Sequence, residues 1–98
     1  EQPLRGRKRW LASSTMVGGA LIVDEGAERA LTQKGSSLLG VGVTETQGEF
    51  GVGAVVAIRN SQGRELGRGL CELSSTELGR QDKSETGVIV HRNNLFLH

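Results

Sequence analysis

The nine residues Gly35-Ser36-Ser37-Leu38-Leu39-Gly40-Val41-Gly42-Val43 constrain the fold more than any other stretch of this chain. Three glycines and two serines in so short a run give a backbone that turns sharply and admits close approach. Leu38, Leu39, Val41 and Val43 are expected to anchor the run in a core. It contains no His, Cys, Asp or Glu, the groups that general acid–base or metal chemistry needs. The run therefore has the character of a docking surface and not of a catalytic loop.

What flanks it reads as a strand and a helix. Residues 19–24 form an apolar run bounded by glycines and closed by Asp24, whose carboxylate suits the N-cap of a helix. Ala27, Ala30, Leu31 and Lys34 recur at helical spacing, so residues 25–34 should form a helix that packs through two alanines. Gly35 stands where a left-handed C-terminal cap belongs. Glu25, Glu28 and Arg29 fall on the wet face. After the loop, residues 41–46 alternate as a strand, and Phe50 should plug one end of the core.

Residues 55–59, Val-Val-Ala-Ile-Arg, carry the strongest strand signal, and residues 60–63 read as a hairpin loop. Residues 64–73 should return as a second strand, with Gly67 and Gly69 marking a bulge or a close backbone contact. Cys71 lies in that strand and reads as a small core residue. Ser74-Ser75-Thr76-Glu77 has the capping-box pattern and should start a short helix ending near Gln81. Residues 81–86 are polar. Residues 87–91 are a strand, Arg92-Asn93-Asn94 a turn, and residues 95–97 a last strand. Fifteen glycines and one proline fit this order of short strands and turns. The expected class is mainly β with two short helices, built as a small, partly open barrel.

Charge is unevenly placed. Residues 1–17 hold Arg5, Arg7, Lys8 and Arg9 against Glu1, a net of +3, whereas residues 18–98 hold eight basic residues against ten acidic ones, a net of −2. A nucleic-acid binder usually carries its basic face on the folded body. With no Tyr and 3% aromatic residues, the stacking surface of a single-strand binder is missing as well. Residues 1–17 read as a basic linker, with Trp10-Leu11-Ala12 as its apolar anchor. The chain opens Glu1-Gln2-Pro3, as expected of a piece of a longer protein. One cysteine allows no internal disulfide and fits a reducing cytoplasm. No apolar run approaches the ~20 residues of a membrane span, so no membrane partner is expected.

Chemistry-bearing motifs are absent. The sequence has no phosphate-loop lysine motif, and residues 40–45 and 51–56 both fail the last position of the dinucleotide-binding glycine pattern. Cys71, His91 and His98 have no partner at metal-ligand spacing. Catalytic, metal and cofactor sites are all expected to be lacking in this chain.

Several blocks carry a family likeness. They are Lys8-Arg9-Trp10-Leu11, residues 19–27, the opening loop with its GxSLLxxGV pattern, Gly48-Glu49-Phe50, residues 55–59, residues 63–70, residues 73–78 and His91-Arg92-Asn93-Asn94-Leu95. In that order they resemble the C-terminal PUA domain of bacterial glutamate 5-kinase. The resemblance implies a PUA-like pseudobarrel over residues 18–98, with residues 1–17 linking it to an amino-acid kinase domain placed before residue 1. It implies a parent enzyme that phosphorylates L-glutamate on the way to proline, with ATP and Mg²⁺ bound in that other domain. The module itself would be regulatory or structural, with the kinase domain or other subunits as partners. The alternative is RNA binding, which in RNA-modifying PUA proteins uses the first helix, the loop after it and the last strand. Transferred to this sequence, the candidate contact residues are Arg29, Lys34, Gly35, Ser36, Ser37, Gly40, Gly42, Arg92 and Asn94.

Overall fold

A computed structural model describes residues 17–80 and 87–98. The expected linker with its Trp10 anchor lies outside the described residues but for Val17, and so do the polar residues 81–86. Among the described residues the element order is β1 (Gly19–Val23), α1 (Glu25–Lys34), β2 (Leu38–Leu39), a 3₁₀ turn (Gly40–Gly42), β3 (Val43–Gln47), β4 (Val55–Arg59), β5 (Glu65–Leu70), α2 (Ser75–Arg80), β6 (Val88–Val90), a 3₁₀ turn (Arg92–Asn94) and β7 (Leu95–Leu97).

Five strands form one sheet in the order β3-β1-β4-β5-β7, and β2 pairs with β6 in a second. The β1–β4 pair is parallel, because α1, β2 and β3 intervene as the crossover, while β1–β3, β4–β5 and β5–β7 are antiparallel. The two sheets do not close into one ring, and the backbone bond from Glu72 N–H to Ile89 O (2.7 Å) bridges them as a pseudobarrel does.

The burial of each strand follows from its place. In β4, Val55, Val56, Ala57 and Ile58 are all buried, the mark of a strand covered on both faces. In β3, an edge strand, Val43 is buried while Thr44 and Glu45 face water. Leu21, Val23, Leu31, Leu38, Val56, Ile58, Leu78, Ile89 and Val90 make up most of the shared core. Phe50 is buried and belongs to the same core.

Helix α1 has the expected ends and α2 the expected start, the end expected near Gln81 lying outside the described residues. Asp24 Oδ1 accepts the Ala27 N–H at 2.7 Å, and Gly35 adopts the left-handed conformation (φ 63°) with its N–H donating to Ala30 O. At α2, Ser74 Oγ accepts from Glu77 N–H (3.2 Å) while the Glu77 carboxylate accepts from Ser74 N–H (3.1 Å), a reciprocal capping box. The hairpin after β4 closes on buried Asn60, whose Oδ1 accepts from the N–H groups of Gln62 and Arg64.

Some expectations need correction. Leu39 and Val41 are exposed, so of the loop's four apolar side chains only Leu38 and Val43 reach the core. Adjacent residues of a strand point to opposite faces, and Leu38-Leu39 form β2, so one of the pair must turn outward. The strand after the loop starts at Val43 and not at residue 41, because Gly40–Gly42 winds a 3₁₀ turn. The return strand is also shorter than residues 64–73, and Cys71 sits just past its end. At Gly67 the close-contact reading holds: a Cβ there would meet Phe96 O at 2.1 Å, so the paired strand β7 approaches too closely for any side chain at this position. The expected bulge is there as well: between Ile58 and Arg59 the partner on β5 passes from Gly67 to Glu65, which leaves Leu66 as the extra residue beside Gly67.

Candidate functional site

Helix α1 and the loop after it form one surface, with a cleft on each side. The first cleft, about 350 Å³, opens between the start of α1 and residues 36–42, with Ala27, Ala30, Leu38, Leu39 and Val41 among its walls. The second, about 300 Å³, runs between the end of α1 and β7, lined by Leu31, Gly35, Arg92, Leu95, Phe96 and Leu97.

The loop is held at several points. Gly42 O accepts the Asp24 N–H (2.9 Å), which ties the loop to the start of α1. Gly40 N–H donates to Gly87 O (2.8 Å), and Leu38 pairs with Val90, which ties it to β6. Ser36 N–H donates to Ala30 O (3.1 Å), and Ser37 Oγ accepts the Arg92 N–H (2.8 Å). Close packing completes the anchorage: a Cβ on Gly42 would stand 2.6 Å from Ala27 Cβ.

The candidate contact residues fall into three groups. Gly35, Ser37 and Arg92 come together where the loop meets the second 3₁₀ turn, Gly35 and Arg92 in the same cleft and Ser37 bonded to Arg92, while Ser36 lines the first cleft and Asn94 closes the turn by donating its N–H to His91 O. Gly40 and Gly42 are buried, and their backbone groups are engaged in tying the loop to Asp24 and Gly87. Arg29 and Lys34 line neither cleft. Arg29 pairs with Glu25 one turn back along the exposed face of α1, and Lys34 is exposed in the last turn. His91 caps the second 3₁₀ turn by accepting the Asn93 N–H at Nδ1 (3.1 Å), which leaves its Nε2 as the protonated nitrogen when the ring is neutral.

Sequence reasoning missed the apolar half of this surface. Leu39 is 47% exposed and Val41 60% exposed, and both border the first cleft. Val88, paired with Leu39 across the small sheet, extends the patch. Strand alternation at Leu38-Leu39 was the available signal.

No group of three His, Cys, Asp or Glu side chains that could hold a metal ion occurs among the described residues. The buried Cys71 thiol is pushed up from its ordinary value by desolvation, which opposes a role as nucleophile.

The family model of the PUA domain matches residues 19–92, from the start of β1 to the second 3₁₀ turn. The chain belongs to the PUA domain family. The PUA domain is 45% identical over 102 residues to glutamate 5-kinase of Parasynechococcus marenigrum (strain WH8102), a match covering 99% of this chain and 29% of that protein. Against glutamate 5-kinase of Azoarcus sp. (strain BH72) it is 47% identical over 107 residues, covering 97% and 29%. The chain thus spans about 29% of the length of these curated relatives. Among solved structures, a PUA domain from Aeropyrum pernix K1 in complex with tartrate superposes with a TM-score of 0.71 at 26% identity, covering 92% of this chain and 50% of that one. Homology to the C-terminal domain of glutamate 5-kinase therefore extends over almost the whole chain.

Proposed function

We propose that this PUA domain is the non-catalytic C-terminal module of a glutamate 5-kinase. The observation that carries the reading is the 45% identity to such an enzyme across 99% of the chain. The parent enzyme would transfer the γ-phosphoryl group of ATP to the side-chain carboxylate of L-glutamate, giving glutamyl 5-phosphate for proline synthesis. ATP and Mg²⁺ would be held in the kinase domain, and residues 1–17 would link that domain to this one in the cytoplasm. The module's contribution would be contact, with the kinase domain or with other subunits, through the α1–loop surface. Removing residues 18–98 from the parent tests this: Mg²⁺ dependence, proline inhibition or assembly by sedimentation should change. An enzyme unchanged in all three would overturn the reading.

A second reading, RNA binding, draws on one observation: exposed Arg92 stands beside Gly35 in the cleft between α1 and β7. Affinity for a structured RNA should then fall with salt through counterion release. Lys34→Glu together with Arg92→Glu should abolish it. Binding that depends only on Arg5, Arg7, Lys8 and Arg9 would count against a folded RNA site.

A further inference from the structure

The hairpin between β4 and β5 turns on a buried asparagine that uses only the oxygen of its amide. Asn60 is 7% exposed, and its Oδ1 accepts the N–H groups of Gln62 (3.0 Å) and Arg64 (2.9 Å). Its Nδ2 makes no hydrogen bond among the described residues. An asparagine amide offers two donors besides that oxygen, so a side chain that only accepts would serve this turn equally well. The backbone around it is held too. Gly63 N–H donates to Asn60 O (3.0 Å), Asn60 N–H donates to Arg64 O (3.0 Å), and Gly63 adopts φ 86°. Ser61 stands at the exposed tip, and its N–H has no partner among the described residues.

These groups are the parts of an intramolecular acyl transfer. Ser61 N is the nitrogen that can close a succinimide ring on Asn60 Cγ, and no hydrogen bond has to be broken to release it. As that bond forms, the carbonyl electron pair moves onto Oδ1. Two N–H donors already stand there, within the roughly 2.7–3.1 Å at which an oxyanion is stabilised. We propose that Asn60 is a site of spontaneous deamidation, promoted by the folded hairpin.

The reaction needs only water and hydroxide. Ser61 N gives its proton to hydroxide and bonds to Cγ. The Cγ–Nδ2 bond then breaks, and Nδ2 takes a proton from water and leaves as ammonia. Water opens the succinimide at either carbonyl. Opening at Cγ leaves an aspartate at position 60, whose carboxylate keeps both N–H bonds in charge-assisted form. Opening at the backbone carbonyl leaves an isoaspartate, which routes the main chain through Cγ and lengthens the turn by one atom. Either product adds one negative charge at the tip of the hairpin. Asn93 is the internal contrast, because the nitrogen that would attack it, Asn94 N, is engaged with His91 O at 2.8 Å. The reading of the domain as a kinase module plays no part in this inference, so the two can fail separately.

Peptide mass spectrometry of the intact chain, incubated at mildly alkaline pH in buffer and in unfolding urea, follows each asparagine separately. Asn60 should convert several-fold faster in the native chain than in urea, whereas Asn93 should convert more slowly in the native chain. Gly63→Ala forces a side chain onto a left-handed backbone without meeting any atom, and so loosens the turn. It should slow Asn60 several-fold, toward the rate in urea. Faster conversion of Asn60 in urea than in the native chain would overturn the proposal, and that comparison stands even if Gly63→Ala disturbs folding. A folded Gly63→Ala variant in which Asn60 reacts faster would overturn it as well, since the turn would then be protecting the residue.

Discussion

The Arg92 backbone N–H donates to Ser37 Oγ at 2.8 Å, joining the opening loop to the turn before the last strand. The bond is exposed, so water can replace it in part when it is lost. Ser37→Ala should lower stability by ~0.5–1.5 kcal/mol, which for a chain of this length is a fall in Tm of roughly 4–8 °C per kcal/mol. Amide exchange at Arg92 should quicken while exchange in β4 does not. Ser37→Thr, which keeps the hydroxyl, should restore the protection. An unchanged exchange rate at Arg92 in the alanine variant would show that the bond does not hold the turn.

The contact between Gly42 and Ala27 sets how closely the loop approaches α1. A methyl on Gly42 would lie 2.6 Å from Ala27 Cβ, and neither atom belongs to a flexible side-chain end. Gly42→Ala should therefore destabilise by ~1–3 kcal/mol through overpacking. Adding Ala27→Gly removes the clash but costs roughly 0.5–1 kcal/mol of helix propensity. The double variant should then be more stable than the Gly42→Ala variant alone, an interaction that urea unfolding of all four proteins measures. Additive effects would mean that the loop relaxes away from the helix instead.

Local chemistry made much of this fold legible. Asp24, Gly35 and the Ser74–Glu77 box each act within one turn of a helix end, so the sequence alone locates α1 and the start of α2. The run in β4 needs no partner to be read as a buried strand. What stayed hidden depends on tertiary placement. Whether Leu39 and Val41 point inward is decided by the pairing of β2 with β6, a strand from the other end of the chain. That Gly67 is covered by Phe96 O depends on the β5–β7 pairing, which the glycine signals without naming its partner. Of the candidate contact residues, Gly35 and Ser37 stand beside Arg92, whereas Gly40 and Gly42 are buried in the loop. Arg29 pairs with Glu25 four residues back, a helical spacing that the sequence does carry.

Cys71 should be inert in the native state. Its side chain is fully buried, and desolvation holds the thiol above its ordinary value of 9.0, with Glu72 and Glu77 adding to the rise against an opposing backbone hydrogen bond at Leu73. Since the thiolate is the reactive form, labelling with a thiol reagent at neutral pH should be limited by opening of the fold. The rate should climb steeply with urea toward that of an unfolded peptide. Fast, urea-independent labelling would place the thiol outside the core.

Glu65 is the residue through which acid should loosen the sheet edge. Its carboxylate lies 2.5 Å from His98 Nε2 and 3.3 Å from Arg68 Nε, and so ties the start of β5 to the residue after β7. Burial alone would raise its pKa. The hydrogen bonds from His98 and Arg68, helped by their charges, outweigh burial and hold it below the ordinary value of 4.5. A carboxyl whose folded pKa is depressed binds fewer protons in the native state than in the unfolded one. Its stabilisation is then fully present above about pH 4.5 and is lost as the pH falls through the folded value. Glu65→Gln should accordingly be less stable than the unmodified chain at pH 7, and the gap should close as the pH is taken down to 3. Urea unfolding of both proteins across that range measures the gap directly. Two parallel curves would mean that the contacts of Glu65 with His98 and Arg68 contribute nothing to the fold.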